Sequence, residues 1–342
     1  MNPQPYRDLS GLNTLRLPGR AEWFAAPRTD AALQALLGER RWKGLPRTAI
    51  GEGSNVLLLG DIPGLVIHPR LRGIRFLGQD GDHVVVEVAA GENWDRVVQH
   101  TLEQGWYGLE NLSLIPGSAG AAPYQNIGAY GVELEDFLLS LDAVHLATGV
   151  RRRFTRRDCR FGYRDSFFRS VEPGQWVILR LRLRLRCKPL LELSYGELAQ
   201  RFRELPVSQQ TPAGLRALVC SLRRSKLPDP EQLPNAGSFF KNPIVGPSEH
   251  TRLRDRFPEL VSFPLADGRF KLAAGWLLEE AGWKGYREGS LAMHDRQALV
   301  LVHHGGATCA DVLEFVQRIR RSIRQRFGVW LEQEPVTLPA FR

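Results

Sequence analysis

The stretch IPGSAGAAPYQNIGAYG, residues 115–131, combines a bare main chain with two amide side chains. Glycine and alanine let a ligand approach the main chain closely, and glutamine and asparagine can hydrogen-bond the edges of a heterocycle. The stretch has too few large side chains to pack a core. We therefore expect it to lie against a long, flat ligand, with contacts from Pro116, Gly117, Ser118, Gly120, Ala121, Gln125, Asn126, Gly128 and Tyr130.

A second small-residue loop lies earlier in the chain, within IGEGSNVLLL, residues 50–59. Gly51 and Gly53 allow main-chain N–H groups to turn toward an anion, and the following Ser54 and Asn55 add side-chain donors. The loop lacks the third glycine of the Rossmann fingerprint and the Gly-Lys-Ser/Thr of a P-loop. Taken alone, such a loop is an ordinary tight turn more often than a phosphate site. The two loops together favour a ligand with a central diphosphate, a dinucleotide-like cofactor, without specifying which one.

The elements around these loops alternate between strands and helices. Residues 22–60 are predicted to form a strand–helix–strand unit, in which Thr29 or Asp30 caps the helix. The further predicted strands are GLVIHP, HVVVEVAAG, LLSLDAVHLATG and WVILRLRLRLR. The further predicted helices are NWDRVVQHTLEQG, which ends at Gly105, and TPAGLRALVCSLRRSK.

A proline-rich connector, LPDPEQLP, predicts a domain boundary after these elements. Beyond it we expect FKLAAGWLLEEAGWKG to be helical, ALVLVHH to be a strand and VWLEQEPV to be a last short strand. TCADVLEFVQRIRRSIRQRFG predicts a long amphipathic helix with a capping box at Thr308 and Asp311. Its predicted buried stripe consists of Val312, Phe315, Val316, Ile319 and Ile323. Helices separated by long strand-rich stretches indicate an α+β protein.

Composition excludes several classes of protein. The chain has 342 residues, 43% of them hydrophobic and 24% charged, which is typical of a globular protein of two or three domains. No apolar run approaches the roughly 20 residues of a membrane span, and the N-terminus lacks the pattern of a signal peptide. The four cysteines show no metal-like spacing, so we expect reduced thiols, no metal and a cytoplasmic location.

The net charge of +9 suggests nucleic-acid binding, but the arginines are spread along the chain without a zinc, helix-turn-helix or RNP signature. Their densest run is VILRLRLRLR, residues 177–186, which alternates strictly and predicts that the arginines share one face of a strand. That face is either solvated or a surface that steers anionic small molecules. We expect no nucleic-acid partner and infer no obligate protein partner.

Seven motifs make the hypothesis specific. GEGSNVLLL, IPGSAGAAPYQNIGAYGVE, CRFGYRDS, KLPDP, NAGSFFKNP, KLAAGWLLEEAG and LEQE occur in the same order as in the UDP-N-acetylenolpyruvoylglucosamine reductases, which the chain resembles over roughly residues 10–336. The resemblance implies an FAD-binding fold of the vanillyl-alcohol-oxidase (PCMH) type, followed by a smaller C-terminal α+β substrate domain. It implies FAD-binding subdomains at residues 1–72 and 73–226, the second completed by a C-terminal strand in 327–342, and a substrate-binding domain at 227–326.

The resemblance also implies a reaction. The family holds FAD without a covalent bond, takes hydride from NADPH and reduces the enolpyruvyl double bond of its UDP-sugar substrate to the lactyl ether of UDP-N-acetylmuramate, in peptidoglycan precursor synthesis. Such a reduction needs hydride at the β-carbon and a proton at the α-carbon. Between the two steps, negative charge spreads into the carboxylate, so the site needs a cation there and a placed acid.

The motifs assign these roles to three residues. Arg164 in CRFGYRDSFF resembles the family's carboxylate-binding arginine, whose planar fork of donors suits a carboxylate. Ser238 in PNAGSFFKNP resembles the proton donor. Glu334 in VWLEQEPV resembles the glutamate that assists enol stabilisation or protonation. Strand periodicity would place Glu332 on the same face as Glu334, and Pro335 departs from the aliphatic residue expected at its position.

Three further residues are assigned to the substrate or to NADPH by the same resemblance, and two more are candidates because they follow Ser238 closely in the chain. Tyr195, in a tyrosine-bearing loop, would close over the diphosphate of the substrate. Lys226 would approach a phosphate or the nicotinamide nucleotide, and Gln297 would contact the substrate. Lys241 and Asn242 would support the serine or bind the phosphates.

Two alternatives stay open. Another FAD-dependent sugar or alcohol oxidoreductase of the same fold would often tether its flavin through a histidine, and no histidine lies in 51–60 or 115–131. That alternative would also leave the serine and arginine motifs unexplained. A non-catalytic nucleotide-sugar-binding protein would carry no flavin at all. His294, near the Gln297 motif, is interpreted as a structural histidine.

Overall fold

The computed structural model describes residues 2–339. The strands of these residues, numbered along the chain, are β1 (Gln4–Asp8), β2 (Arg20–Ala25), β3 (Arg47–Ala49), β4 (Val56–Leu58), β5 (Ile62–Ile67), β6 (Ile74–Asp80), β7 (His83–Ala89), β8 (Gly128–Ala129), β9 (Val132–Glu133), β10 (Leu138–His145), β11 (Arg151–Thr155), β12 (Trp176–Arg186), β13 (Asn235–Ser238), β14 (Ile244–Val245), β15 (Ser262–Pro264), β16 (Phe270–Leu272), β17 (Arg287–Glu288), β18 (Leu291–Met293), β19 (Val300–His303) and β20 (Val336–Leu338). The α-helices are α1 (Asp30–Gly38), α2 (Trp94–Glu103), α3 (Gly196–Arg203), α4 (Pro212–Lys226), α5 (Pro247–Arg256), α6 (Ala274–Glu280) and α7 (Cys309–Phe327).

The chain divides into two compact units. Unit 1 comprises the residues up to Arg7, Ala21–Gly53 and Ile62–Ser225, and unit 2 comprises Asp8–Arg20, Ser54–Asp61 and the chain from Lys226 onward. The strand found within 327–342 is β20, which pairs in parallel with β4 inside unit 2. It therefore joins the short segment around β4 rather than the sheet of residues 73–226. The division into three domains stays a prediction.

Unit 1 contains a four-stranded sheet in the order β1-β2-β5-β3. Strands β2 and β3 both run parallel to β5 and are connected through α1, so the predicted strand–helix–strand unit is present. Thr29 caps α1, because its Oγ1 accepts the N–H of Ala32 at 3.1 Å. The strand after α1 ends at Ala49, and the glycine-bearing loop leaves the sheet there before β4 begins.

The second sheet of unit 1 is antiparallel, in the order β11-β10-β12-β7-β6. Its central strand β12 buries Leu181, Leu183 and Leu185 completely in the main core, which confirms the predicted alternation. A bulge next to Arg180 interrupts the pairing with β10. On the other side of the bulge, Leu179 packs into a second core that includes the leucines of α1.

The opposite face of the sheet carries a row of side chains with alternating charges, which crosses β12 and which we call the charge ladder. It contains one residue from each strand of the sheet in turn: Arg153, Asp142, Arg182, Glu87 and Arg75. Arg182 donates two hydrogen bonds to Asp142, at 3.0 and 2.7 Å, and lies 2.8 Å from Glu87. Only 15% of the Arg182 side chain is exposed, so the interpretation of this face as solvated is wrong at its centre.

Unit 2 contains sheets in the orders β13-β19-β18-β17 and β14-β16-β15, together with helix α7. The capping box of α7 is confirmed, because Thr308 N–H donates to Asp311 Oδ2 at 2.7 Å and Asp311 N–H donates to Thr308 Oγ1 at 3.3 Å. The predicted stripe on α7 is buried at all five positions. Among residues 2–339, no helix combines the length and the hydropathy that crossing a bilayer requires.

Two predicted elements of unit 2 differ from the structure. Within FKLAAGWLLEEAGWKG, the first three residues form β16 and the helix is limited to α6. At the start of this helix, Asn242 Oδ1 accepts the N–H of Ala274 at 2.9 Å and so satisfies one of the first N–H groups of α6. Residues 329–335 form no strand, only an isolated bridge between Gln333 and Phe240. Pro335 offers no N–H to a ladder, and β20 begins directly after it.

Candidate active site

The two small-residue loops touch each other in unit 1. A Cβ atom added to Gly51 would come within 2.9 Å of Ser118 Oγ and 3.3 Å of Ala121 Cβ, so the contact is made where each loop is barest. Gly53 and Gly117 have φ values of +64° and +117°, which glycine adopts without strain. The loops are therefore shaped by their glycines and lie close enough to share one ligand.

Main-chain donors line this contact. Four N–H groups have no hydrogen-bond acceptor among residues 2–339, those of Gly51, Glu52, Gly117 and Ser118. Ser118 is nevertheless only 6% exposed. Because buried N–H groups are almost always paired in proteins, several unpaired ones side by side indicate an anion-binding site. The residues present thus fit the diphosphate of a dinucleotide cofactor.

The start of α2 holds the second loop in place. Trp94 donates its main-chain N–H to Gly117 O at 3.0 Å, and Gly120 donates its own to Ala90 O at 2.8 Å. A Cβ atom added to Gly120 would lie 2.5 Å from Ala90 Cβ. The missing side chain of Gly120 therefore leaves room for Ala90 of the protein, and a main-chain contact between Gly120 and the ligand stays a prediction.

Asn126 also differs from expectation. It is fully buried in a left-handed conformation, with φ of +44°. Its Nδ2 donates to Glu133 Oε2 at 2.7 Å and to Glu135 Oε1 at 3.2 Å, and its Oδ1 accepts the N–H of Glu135 at 3.1 Å. With its amide engaged in this way, Asn126 folds the loop instead of contacting a heterocycle. The half-buried Gln125 stays the predicted amide contact.

The end of the second loop meets two predicted substrate residues. Arg164 donates from Nη2 to Gly128 O at 2.6 Å, and only 19% of its side chain is exposed. Its φ of +54° is unusual for a long side chain, a kind of strain that is concentrated at functional sites. Tyr195 is 41% exposed and packs edge-on against Tyr130, with 5.3 Å between the ring centroids. Unit 1 therefore brings the predicted carboxylate ligand and the predicted substrate tyrosine to the same loop.

Arg223, near the end of α4, belongs to this cluster and was not predicted. Burial lowers the pKa of its guanidinium, and the hydroxyl of Tyr130 is near enough to oppose this change. In the part of the chain that the structure describes, no carboxylate contacts Arg223 and its Nε has no hydrogen-bond partner. A desolvated guanidinium without an acidic partner is a strong ligand for an anion. The available sequence signal is its spacing of seven residues from Arg216, which puts both on one helix face.

Unit 2 assembles the other catalytic candidates around residues 238–241. Ser238 ends β13 opposite Val300, and its Oγ has no hydrogen-bond partner among the described residues. The carbonyl of the next residue, Phe239, accepts the N–H of Glu334 at 2.8 Å. The predicted proton donor and the predicted glutamate therefore flank one main-chain hydrogen bond.

The remaining candidates in unit 2 are partly engaged by the protein itself. Lys241 Nζ lies 2.6 Å from Glu332 Oε1, and its N–H donates to Glu332 O at 2.9 Å. The prediction that Glu332 and Glu334 share a strand face is wrong, because residues 329–335 are not a strand. Asn242 uses its Oδ1 to cap α6, which leaves its Nδ2 as a donor. Lys226 is the last residue of α4 and stays a predicted contact.

Gln297 and His294 are the last two side chains of unit 2 that the sequence singled out. Gln297 Oε1 lies 3.5 Å from the N–H of Leu299, next to the β13–β19 pairing, and stays a predicted substrate contact. His294 is 6% exposed, and its Nδ1 lies 3.4 Å from the N–H of Arg296. Burial lowers the pKa of His294, which agrees with the interpretation of a neutral structural histidine. Nowhere in residues 2–339 do three His, Cys, Asp or Glu side chains gather as metal ligands.

Comparison with known proteins identifies the family. The pattern of the UDP-N-acetylenolpyruvoylglucosamine reductase C-terminal domain matches residues 229–338, and that of an FAD binding domain matches residues 21–155. The UDP-N-acetylenolpyruvoylglucosamine reductase of Pseudomonas aeruginosa is 51% identical over 332 residues, which is 97% of this chain and 98% of that protein. The chain belongs to the UDP-N-acetylenolpyruvoylglucosamine reductase family.

Two other members of the reductase family are similar to this chain over nearly its full length. The reductase of Alcanivorax borkumensis is 49% identical, with 97% of this chain and 95% of that protein covered. The crystal structure of the reductase from Thermus caldophilus superposes with a TM-score of 0.67 at 25% identity, covering 99% of this chain and 100% of that one. The predicted FAD-binding fold with a C-terminal substrate domain is thereby confirmed. For this reductase-family chain, both small-residue loops lie inside the FAD-binding match, and Ser238 and Glu334 lie inside the C-terminal match.

Proposed function

We propose that this chain catalyses the NADPH-dependent, FAD-mediated reduction of UDP-N-acetylenolpyruvoylglucosamine to UDP-N-acetylmuramate, a step of peptidoglycan precursor synthesis. The observation that carries this proposal is the 51% identity to the Pseudomonas aeruginosa reductase over 97% of the chain. The touching loops with unpaired N–H groups support the cofactor assignment independently, because they meet the needs of a diphosphate.

Residues of both loops would hold FAD. The N–H groups of Gly51, Gly117 and Ser118 would bind its diphosphate, and Gln125 would contact its heterocycle. No histidine lies in either loop, so the cofactor would be bound without a covalent link. Bound FAD supplies the ring that accepts hydride from NADPH and passes it on to the substrate.

Arg164 would bind the carboxylate of the substrate, and Arg223 adds a second guanidinium beside Tyr130. When hydride arrives at the β-carbon, negative charge moves toward this carboxylate. A guanidinium placed there binds the more highly charged enolate more tightly than the substrate, and this difference lowers the barrier. Desolvation of both arginines increases the effect, since charge interactions are stronger in a poorly solvated site.

Ser238 would then donate its Oγ proton to the α-carbon. A serine hydroxyl is a poor acid in water, so it acts only when it is held beside the developing carbanion. The unpartnered Oγ at the end of β13 leaves it able to do so. Glu334, tied to Phe239 by its main chain, would stabilise the enol or return a proton to the serine. Lys226, Lys241, Asn242, Gln297 and Tyr195 would contact the phosphates and the sugar of the substrate. We place the reaction in the cytoplasm, where NADPH is available.

A spectroscopic experiment tests the proposal. The purified protein should be yellow, acid precipitation should release its flavin as FAD, and anaerobic NADPH should bleach it. The enolpyruvyl substrate should then restore the oxidised spectrum, whereas simple sugars and alcohols should not. A colourless protein that cannot be reconstituted with FAD, or a reduced flavin that the substrate leaves unchanged, would refute the proposal.

A further inference from the structure

Asp95, in the first turn of α2, binds two separate parts of unit 1 at once. Its Oδ1 accepts the N–H of Leu114 at 2.7 Å, and its two oxygens accept from Nη1 and Nη2 of Arg216 at 2.7 and 3.0 Å. Only 24% of the Asp95 side chain and 15% of the Arg216 side chain are exposed. A shielded, bidentate pair of this kind is stronger than an ion pair on the surface.

These contacts also fix the charge of the carboxylate. Burial alone would raise the pKa of Asp95, but the hydrogen bonds from Arg216 and from the Leu114 N–H bring it below its ordinary value. The same pairing raises the pKa of Arg216. Both groups are therefore ionised at neutral pH, and the ion pair between α2 and α4 is present there.

On one side, Asp95 holds the entrance of the cofactor loop. Leu114 has φ of +55°, a left-handed conformation that a bulky residue keeps only when its surroundings hold it. Pro116 and Gly117 follow almost directly, so the bond to Leu114 sets the direction in which the chain enters the diphosphate-binding segment. Trp94, next to Asp95, holds Gly117 at 3.0 Å from the same helix end.

On the other side, Asp95 holds α4. Arg216 and Arg223 lie seven residues apart on this helix and share one face. A helix is stiff over two turns, so fixing Arg216 also fixes the position of Arg223. Arg223 lies beside Tyr130 at the far end of the cofactor loop, in the cluster assigned to the substrate.

We propose that Asp95 is a positioning residue that aligns the cofactor loop with the substrate-binding face of α4, through Leu114 on one side and Arg216 on the other. The inference rests on the proposed function, because the two parts that it aligns are the FAD site and the substrate site. Asp95 acts only through its two partners.

Asp95→Asn weakens the contact with Arg216 and keeps the contact with Leu114. The asparagine Oδ1 can still accept from the Leu114 N–H and from Arg216 Nη1, but its Nδ2 cannot accept the bond from Arg216 Nη2, and the charge of the pair is lost. Arg216→Met removes the ion pair and keeps the aliphatic stem. We expect both variants to bind FAD within about threefold of wild type and to bind the substrate about tenfold more weakly. Asp95→Leu removes both contacts and is expected to weaken FAD binding by about tenfold as well.

Two titrations measure the effect. Flavin fluorescence gives the dissociation constant of FAD from protein stripped of its flavin, and the flavin absorbance of the oxidised holoprotein gives that of the substrate. Arg216→Lys should recover part of the substrate affinity, because it restores the charge. Lys188→Met, which removes the exposed Lys188–Asp82 pair with 3.0 Å between the charged atoms, is the matched control and should leave both constants unchanged.

The split between the two constants decides the question. The positioning role is wrong if Asp95→Asn and Arg216→Met bind the substrate as tightly as wild type. It is also wrong if both variants lose FAD affinity and substrate affinity by the same factor and their melting temperature falls, because that pattern indicates general destabilisation. That result stands even if Asp95→Leu fails to fold. A wild-type protein that binds no FAD or no enolpyruvyl substrate would refute the proposed function and this inference together.

Discussion

Replacing Ser238 by alanine should separate the two halves of the catalytic cycle. The change deletes an oxygen without a hydrogen-bond partner among the described residues and leaves the N–H of Phe239 bound to Leu299 O at 2.8 Å. The free energy of unfolding should therefore change by less than about 0.5 kcal/mol. A placed general acid contributes about 10²–10⁴-fold in rate, which corresponds to about 2.7–5.4 kcal/mol of barrier. Because the second effect is at least five times the first, a loss of turnover cannot be attributed to unfolding.

Stopped-flow absorbance measures each half of the cycle. Flavin reduction by NADPH needs no proton at the substrate's α-carbon, so Ser238→Ala should bleach at nearly the wild-type rate. Reoxidation by the enolpyruvyl substrate should slow by about 10²-fold or more. Ser248→Ala, at an exposed position of α5, is the control and should resemble wild type in both halves. If Ser238→Ala turns over within a few-fold of wild type, the serine is not the acid and Glu334 takes its place.

Three further predictions concern the loop, the arginine and the charge ladder. Gly120→Ala should lower the free energy of unfolding of FAD-free protein by about 1–3 kcal/mol in a thermal melt, because its Cβ would lie 2.5 Å from Ala90 Cβ; an unchanged melt with lost FAD binding would place the ligand there instead. Arg164→Ala should slow reoxidation by the substrate far more than reduction by NADPH, which has no carboxylate, and equal loss in both halves would make Arg164 structural. Asp142→Asn should destabilise the fold by about 1–2 kcal/mol at neutral pH. Burial would raise the pKa of Asp142, but its bonds from Arg182 and Arg153 lower it, so its stabilisation is present above the unfolded-state value near 4 and lost as the pH falls. Urea denaturation should accordingly show the difference from wild type shrink below about pH 4, and a difference that stays constant would contradict the pairing.

Elements with local determinants could be predicted from the sequence. The capping box of α7 needs only Thr308 and Asp311 three residues apart, and its buried stripe needs only helical spacing. The alternation of β12 is equally local. The contact between the two small-residue loops followed from chemistry, because two bare loops with donors suit the same diphosphate.

Features with distant determinants could not be predicted in this way. The sequence of a bare loop does not show whether a ligand or another residue occupies the space beside a glycine. For this reason the sequence could not show that Ala90 fills the space beside Gly120. Asn126 resembles a ligand contact until folding brings the acids of the next turn to its amide. Arg223 is one arginine among many, and only the burial of its guanidinium distinguishes it. Strand periodicity failed at Glu332 because Pro335 delays the strand.

The repeat in β12 affects how the sheet finds its alignment. Residues 180–186 repeat arginine and leucine every two positions, so a slide by two keeps the leucines in the main core and puts another arginine opposite Asp142 and Glu87. Within the run, neither apolar burial nor charge pairing selects one alignment. The selection falls on the irregularities in the pairing with β10. One lies between Leu138 and Ser140, opposite Leu183 and Arg182, and the other is the bulge next to Arg180, beyond which Leu179 enters the second core. A slide by two would bring Arg180 or Trp176 to the place of Ile178, which is buried in the main core beyond the bulge, so the sheet obtains a single register from the point where the repeat stops.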